Sequence, residues 1–228
     1  MLDSAATIRY IHRVEIMDSD EIAKAKARTR RMVSDVLASL TPSRRRAASI
    51  ALAQKLANLP AVRQAQTLMV FLSLPTEIDT WPVIRWAWRE GKRVAIPRIE
   101  AGGAGQETPL SQRPMVAVLL APADGATAAG HPAVRPGPLG ILDAPDAPAV
   151  PLAQIDVVLV PCQAADRSGN RLGKGGGFYD RLLADPDLRA ARIVVAFHEQ
   201  VLDEIPTADW DRPVPMIVTD TEVLTFDT

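Results

Sequence analysis

Apolar residues follow two different periods along the chain. Ile22, Val33 and Leu37 fall on one face at helical spacing, which predicts a first helix over residues 19–40. A Thr-Pro pair then opens the segment 41–58, and this pair is typical of a helix start. The N-terminal part of the chain is therefore expected to form two consecutive helices.

From residue 67 onwards, short apolar runs rich in β-branched residues alternate with helical segments. The runs predict strands at residues 67–74, 92–97, 115–120, 155–161, 192–197 and 216–219. Helices are predicted at residues 79–90, where Gly91 ends the helix, and at residues 178–184. This alternation favours an α/β fold with a mainly parallel sheet covered on both faces.

The composition changes between the third and fourth predicted strands. Residues 101–150 are rich in Ala, Gly and Pro, and the stretch 121–151 is predicted to be mostly loop. A loop of this length inside a compact domain is usually functional or mobile, but a tolerated surface insertion explains it equally well. Both interpretations stay open.

The size and charge of the chain limit its class. The 228 residues, 47% of them hydrophobic, suffice for one α/β domain, expected at residues 17–228 after an extension at 1–16 that need not be ordered. The net charge of −1 predicts no general affinity for nucleic acid or for an anionic membrane. Residues 1–16 carry no secretory signal, and the apolar stretches are too short to span a bilayer, so a cytoplasmic protein is expected. The single cysteine, Cys162, cannot form an internal disulfide and is expected to be a small buried residue.

The strongest chemical signal is a glycine-rich stretch between a predicted strand and a predicted helix. Gly173, Gly175, Gly176 and Gly177 flank Lys174, and Arg171 lies just before them. Glycines let backbone N–H groups converge on a ligand, and a helix start with nearby cations favours an anion. The stretch therefore predicts a phosphate-binding loop, although its spacing matches neither the Walker A loop nor the dinucleotide fingerprint. The alternative is a glycine-rich turn with solvated charges.

Four further charged residues are candidates with two interpretations each. Asp180, in the first turn of the following helix, either holds Mg²⁺ beside phosphates or stabilises the helix dipole. Lys26 and Arg30 lie in line with the apolar stripe of the first helix, so they either point into a pocket or extend past the core to solvent. Glu77 follows a predicted strand, where α/β sheets bind ligands, but it also fits a solvated loop acid.

These features together resemble the 5-formyltetrahydrofolate cyclo-ligase (methenyltetrahydrofolate synthetase) family, over roughly residues 22–228. The most specific match is residues 170–181, with the sequence Asn-Arg-Leu-Gly-Lys-Gly-Gly-Gly-Phe-Tyr-Asp-Arg. Three further blocks agree in order and spacing, and they are residues 26–30, residues 71–80 with 91–97, and residues 196–200 with 205–206 and Asp211. Four blocks in order are far more specific than any single one.

The resemblance implies a set of site residues. ATP would be bound by Lys26, Arg30, Arg171, Leu172, Gly173, Lys174, Gly175, Gly176, Gly177, Phe178 and Tyr179. The reduced folate would contact Leu72, Glu77, Lys174, Gly175, Gly176, Gly177 and Phe178. Asp180 and Asp211 would hold Mg²⁺, and Lys174 and Arg171 would be the catalytic residues.

The resemblance also implies a fold and a reaction. The fold would be a three-layer α/β/α sandwich related to sugar-phosphate isomerases and CoA transferases. The reaction would convert 5-formyltetrahydrofolate and ATP into 5,10-methenyltetrahydrofolate, ADP and phosphate, and a monomer is expected. Two alternatives stay open: an enzyme of the same fold acting on another phosphorylated or CoA-linked substrate, and a folate- or nucleotide-binding protein without turnover.

The chain departs from the family pattern at two places. Gln163 and Ala165 stand where the family has bulky apolar residues, so different packing is expected beneath the glycine-rich stretch. Asp143 replaces a glutamate of the family in a Gly-Ile segment, with an extra residue before the proline.

Overall fold

The computed structural model describes residues 19–100, 108–123, 130–208 and 211–227. The predicted extension at 1–16 lies outside these ranges, as do parts of the Ala/Gly/Pro-rich region. The chain begins with helices α1 (Ser19–Ser39), α2 (Pro42–Asn58) and α3 (Pro60–Gln64). The first two confirm the predicted helices, and the Thr41 hydroxyl accepts a hydrogen bond from the Arg44 amide at 3.2 Å as the cap of α2. The third, a short helix opened by a proline, was not predicted.

The remaining elements of the described chain are mostly strands, with an α-helix after the first strand and another after the eighth. The strands are β1 (Thr67–Met69), β2 (Arg93–Ile99), β3 (Met115–Leu119), β4 (Arg135–Pro136), β5 (Leu142–Asp143), β6 (Val157–Pro161), β7 (Ala164–Asp166), β8 (Arg171–Leu172), β9 (Ala191–Ala196), β10 (Val201–Leu202), β11 (Met216–Thr219) and β12 (Val223–Thr225). The helices among them are α4 (Trp81–Arg89) and α5 (Phe178–Leu183). Across the described ranges, no helix is both long and apolar enough to span a membrane.

The main sheet has seven strands in the order β12-β11-β9-β6-β1-β2-β3. Neighbouring strands from β11 to β2 are parallel, and only the two edge strands, β12 and β3, run antiparallel to their neighbours. This arrangement confirms the predicted α/β fold with a mainly parallel sheet. It also places the carboxyl ends of five strands along one edge, where ligands bind in sheets of this kind.

Each face of the main sheet has its own hydrophobic core. Leu68, Val94 and Leu159 point to one face and pack with buried residues of α1, α2 and α4. Met69 and Val158, their neighbours along the strands, point to the other face and pack with α5 and with loop residues. Because both faces of the sheet are buried, the apolar runs in the sequence are continuous and do not alternate with polar residues.

The first predicted strand is shorter than the predicted range of 67–74. The Val70 amide still donates to Ala95 at 2.8 Å, but the chain then leaves the sheet. The hydroxyl of Thr80 donates to the carbonyl of Phe71 at 2.6 Å, and that of Ser73 donates to Ile78 at 2.7 Å. These side-chain bonds replace the sheet partners and fold residues 71–80 back over the end of β1.

The second predicted strand, by contrast, continues through the proline expected to end it. The Leu120 amide donates to Val94 and the Glu100 amide donates to Pro114, so the even-numbered residues of β2 bond to β3. Pro97 faces the opposite side, beyond the end of β1. The proline is tolerated because its missing N–H has no strand partner there.

The other unpredicted elements are short. Strands β10, β7 and β8 form a small sheet, and β4 pairs with β5 inside the stretch that was predicted to be mostly loop. Two or three residues are too few to show a hydrophobic period, which is why the pattern missed them. The remaining predicted strands and α5 are present, with ends that differ by up to two residues.

Candidate active site

A cavity of about 220 Å³ opens at the carboxyl ends of the parallel strands. One wall is the glycine-rich loop, residues 173–177, and the opposite wall is the segment after β1, with Phe71, Leu72 and Glu77. Met115 and Ile141 complete an apolar side. The cavity therefore joins the predicted phosphate-binding loop to the predicted folate contacts.

Lys174 and Glu77 face each other across this cavity. The Lys174 ammonium lies 2.6 Å from Oε1 of Glu77. Oε2 of Glu77 accepts a hydrogen bond from the Leu74 amide at 2.7 Å, so the carboxylate is fixed by its own turn. Glu77 is thus a cavity residue and not a solvated loop acid.

Arg171 is buried beneath the loop, with only 7% of its side chain exposed. Its guanidinium donates to the carbonyl of Pro161 at 3.3 Å and forms an ion pair with Asp180, whose side chain is largely exposed. Asp180 lies in the first turn of α5, which is only six residues long. A buried cation and an exposed carboxylate therefore meet at the cavity wall.

Helix α1 contacts the loop through its two cations. Nε of Arg30 donates to the carbonyl of Gly173 at 2.8 Å. One turn earlier, the Lys26 ammonium lies 2.5 Å from Oδ2 of Asp211, which also accepts the Ala208 amide at 2.8 Å. Neither cation extends past the core to solvent, because each is held by a partner at or near the loop.

The backbone conformation of Gly175 favours glycine. Its φ of +100° lies in the left-handed region that other residues rarely adopt. A Cβ at this position would lie 3.7 Å from the Arg30 guanidinium carbon, an ordinary contact distance, so this part of the loop passes close to that cation. The glycine leaves the main chain of the loop accessible next to a cation.

The turn before the loop is held by residues from the end of the described chain. The buried carboxylate of Asp166 accepts bonds from the amides of Ser168 and Asn170 at 2.9 and 3.0 Å. The Val214 amide donates to the carbonyl of Gly169 at 2.8 Å, and a Cβ on Gly169 would lie 2.9 Å from the ring of Phe226. The Asp-x-Ser-x-Asn spacing was a usable signal for this turn, and it was missed.

Gln163 replaces apolar packing by hydrogen bonds. Its side-chain Nε2 donates to the Ser34 hydroxyl at 3.0 Å and to the carbonyl of Arg30 at 3.3 Å. Its main-chain N–H donates to the carbonyl of Leu172 at 2.7 Å. The buried amide of Gln200 in turn donates to the Gln163 carbonyl at 3.1 Å. Gln163 thereby ties α1 to the strand that leads into the glycine-rich loop.

Two weakly acidic side chains line the cavity and stay protonated. Burial raises the pKa of the Cys162 thiol to about 12. Burial, and then the negative charge of Glu77, also raise the pKa of the Tyr179 hydroxyl, whose buried oxygen has no hydrogen-bond partner among the described residues. Tyr179 therefore offers a neutral donor to a ligand.

Asp143 lies away from this cavity. It lines a second cavity together with Arg98 and Arg113, and its buried Oδ1 finds no hydrogen-bond partner in the part of the chain that the structure describes. Burial raises the pKa of this carboxyl, which the nearby Arg98 partly offsets.

The predicted site residues fall into three groups. The main cavity is lined by Leu72, Glu77, Arg171, Gly173, Lys174, Gly175, Gly176, Gly177, Phe178, Tyr179 and Asp180. Arg30, Lys26 and Asp211 lie behind the loop along α1, and the side chain of Leu172 is buried in the core. Met115 and Ile141 were missed, because no local pattern marks a residue that reaches the site only through the fold, whereas Gln163 was singled out as a place where the packing differs.

The residues present fit a nucleotide phosphate and a divalent cation. Arg171 and Lys174 carry positive charge on the cavity wall, and the loop main chain is open to an anion at Gly175. Within the described ranges no three acidic, histidine or cysteine side chains converge on one point. Asp180 lies on the wall of the same cavity and offers a carboxylate there, and Mg²⁺ takes one or two carboxylates together with phosphate oxygens.

Comparison with known proteins tests the family resemblance drawn from the sequence. Residues 22–220 match the model of the 5-formyltetrahydrofolate cyclo-ligase family. The 5-formyltetrahydrofolate cyclo-ligase of Escherichia coli K12 is 32% identical over 186 residues, which is 81% of this chain and 94% of that protein. The protein of the same name from Mus musculus is 24% identical over 202 residues, with 86% and 94% covered.

Solved structures agree with this result. The NMR structure of Aquifex aeolicus 5,10-methenyltetrahydrofolate synthetase superimposes with a TM-score of 0.70 at 25% identity, covering 89% of this chain and 93% of that one. The Mycoplasma pneumoniae 5,10-methenyltetrahydrofolate synthetase, at 17% identity and a TM-score of 0.63, shares the fold and covers 86% of this chain and 98% of its own. The resemblance drawn from the sequence is confirmed, and the chain belongs to the 5-formyltetrahydrofolate cyclo-ligase family.

Proposed function

We propose that this protein converts 5-formyltetrahydrofolate to 5,10-methenyltetrahydrofolate, using ATP with Mg²⁺ and releasing ADP and phosphate. The observation that carries the proposal is the shared cavity, in which Lys174 of the glycine-rich loop faces Glu77 across 2.6 Å. A cationic loop and an apolar wall in one cavity suit a phosphate donor and an aromatic substrate side by side. Family membership narrows that pair to ATP and the reduced folate.

The chemistry proposed for this cavity has two steps. The formyl oxygen attacks the γ-phosphorus of ATP and ADP leaves, which gives an iminium phosphate at the formyl carbon. N10 of the folate then attacks that carbon, and phosphate departs with the N10 proton as the carbon–oxygen bond breaks. The first step turns a poor electrophile into a good one, so no covalent protein nucleophile is needed.

The work of the protein is therefore alignment and charge stabilisation. Arg171 and Lys174 are the catalytic residues proposed to neutralise charge on the transferred phosphoryl group. The loop amides and Arg30 support the nucleotide, while Glu77, Leu72 and the apolar wall orient the folate. Burial of Arg171 strengthens its attraction for phosphate, because charge interactions are less screened away from water.

Asp180 and Asp211 are the residues proposed to hold Mg²⁺. The ion, when bound with the nucleotide, supplies positive charge beside the phosphate oxygens. Both carboxylates already contact cations, with Arg171 on Asp180 and Lys26 on Asp211. These cations belong to the proposed nucleotide site, so phosphate binding and release of the carboxylates are linked.

One assay tests the proposal directly. The protein is mixed with Mg-ATP and 5-formyltetrahydrofolate, and the near-ultraviolet absorbance of the methenyl product is followed. Product that forms only when ATP is present is the expected result. Nucleotide binding without product in the presence of folate would favour an enzyme of this fold with another phosphorylated or CoA-linked substrate. Binding of both ligands without product would favour a protein without turnover.

A further inference from the structure

Two ion pairs of the site, Arg171–Asp180 and Lys26–Asp211, each join a proposed nucleotide cation to a proposed metal ligand. The pair between Lys174 and Glu77 is different, because it joins a proposed contact of both ATP and folate, Lys174, to a residue proposed to contact the folate alone, Glu77. From this difference we infer that the Lys174–Glu77 ion pair couples the binding of the two substrates, so that each binds more tightly when the other is present. The inference rests on the proposed function and goes beyond it, since turnover does not require such coupling.

The geometry divides the pair into a fixed partner and a movable one. The Glu77 side chain is 12% exposed, and it accepts the Leu74 amide through the oxygen that Lys174 does not use. The Lys174 side chain is 43% exposed and sits at the end of a flexible stem. Glu77 is consequently a positioning residue. It holds the Lys174 ammonium on the folate side of the cavity until a ligand competes for the ammonium or for the carboxylate.

Either ligand alone must work against this pair. A nucleotide phosphate attracts the Lys174 ammonium and has to draw it away from Glu77. A folate that donates N–H groups to Glu77 competes with the ammonium for the same carboxylate. The first ligand to bind breaks the Lys174–Glu77 ion pair. The second ligand then binds without having to break that pair, so it binds more tightly.

The size of the coupling follows from the exposure of the pair. Ion pairs that are open to water contribute little, while a coupling of about fivefold lies at the low end of the range known between two sites. Because coupling is reciprocal, the nucleotide must improve folate affinity by the same factor. A factor of about fivefold is therefore expected in both directions.

Titration calorimetry with a non-hydrolysable ATP analogue and Mg²⁺ tests the inference without turnover. The analogue is titrated into the protein alone and into the protein saturated with 5-formyltetrahydrofolate, and about fivefold tighter binding is expected in the second case. In the absence of folate, Glu77→Gln should tighten analogue binding by about the same factor, because Gln keeps an acceptor for the Leu74 amide but releases Lys174. The matched control is Glu222→Gln, which removes an ion pair with Arg167 outside the cavity and should change nothing.

A double-mutant cycle separates the pair from a general effect of charge. In a Lys174→Met background, Glu77→Gln should no longer tighten analogue binding, because the contact it releases is already absent. An equal gain in both backgrounds would show that Glu77 acts by repulsion alone and would overturn the inference. Equal analogue affinity with and without folate would also overturn it, and the proposed function would survive if both ligands still bind and react. Failure of either ligand to bind at all would instead overturn the proposed function and the inference with it.

Discussion

The Lys26 ammonium lies 2.5 Å from Oδ2 of Asp211, across 185 positions of sequence. This contact places the first helix against a segment near the end of the chain, directly behind the glycine-rich loop. It also means that a proposed nucleotide cation and a proposed metal ligand neutralise each other when no ligand is present. Binding of metal and of nucleotide should therefore depend on each other.

Magnesium is expected to bind weakly to the protein alone and much more tightly together with a nucleotide. Asp180 and Asp211 each hold a cation, and these cations must turn to phosphate before the carboxylates can accept a metal. Mn²⁺, as a paramagnetic substitute, can be titrated by electron paramagnetic resonance with and without the ATP analogue. Tight Mn²⁺ binding without the analogue would contradict this dependence.

The same site predicts a selective effect of Asp180→Asn. The variant should need a higher Mg²⁺ concentration for half-maximal activity, because a neutral amide is a poorer ligand than a carboxylate. Its midpoint of thermal unfolding should stay close to that of the parent, since the side chain is 68% exposed. Asp187→Asn, an exposed change just after α5, is the control and should leave the Mg²⁺ requirement unchanged.

Arg30→Gln should raise the KM for ATP by about tenfold, the lower end of what a hydrogen bond from a charged group contributes. The reason is loss of the bond from Nε to Gly173 and of positive charge beside Gly175. Arg28→Gln, on the exposed side of the same helix, is the matched control for loss of charge. Steady-state kinetics measures the KM for ATP of the two variants. Equal KM values would place Arg30 outside the nucleotide site.

Gln163→Met should destabilise the protein by about 0.5–1.5 kcal/mol, because it removes the side-chain hydrogen bonds to the Ser34 hydroxyl and the Arg30 carbonyl. Urea unfolding measures the free energy, with Gln54→Met on the exposed side of α2 as the control. If the network also positions Arg30, the KM for ATP rises while kcat changes less. A neutral effect on stability would mean that the apolar residue packs as well as the amide network does.

The single cysteine should resist alkylation in the folded protein. Burial raises the pKa of Cys162 from 9.0 to about 12, so very little thiolate exists at pH 8. The direction in which the free energy of unfolding changes with pH follows from the same raised pKa. The folded state keeps its proton where the unfolded state loses it, so this thiol lowers the free energy of unfolding as the pH rises from about 9 towards 12. Iodoacetamide labelling at pH 8, with and without urea, checks the first point, and fast labelling of the native protein would refute it.

The sequence pattern was sufficient for the sheet because its strands are buried on both faces. Runs such as Val157–Pro161 carry a strong apolar signal whatever their neighbours are. The pattern failed where side chains compete with the backbone, as at Ser73 and Thr80, which pull the chain away from β1. It also failed at Pro97, because the length of the neighbouring strand decides whether a proline is tolerated.

The candidate site also has one part that the sequence predicts and one part that only the fold reveals. Glycines and cations of the loop can be read locally, since their chemistry depends on neighbours in sequence. The partner of each cation depends on the fold, so no pattern along the chain joins Lys174 to Glu77 or Lys26 to Asp211. Which of the proposed roles these residues fulfil stays a prediction for the experiments above, as do the monomeric state and the single domain at 17–228.

The contact of Gly169 with Val214 and Phe226 has a consequence for biosynthesis. The turn that leads into the glycine-rich loop is completed by Val214 and Phe226, which are synthesised 45 and 57 positions after Gly169. Strands β1, β2 and β3 are adjacent in the sheet and all precede that turn, so they can pair while synthesis continues. A nascent chain can therefore pair these three strands before the turn that leads into the glycine-rich loop is complete.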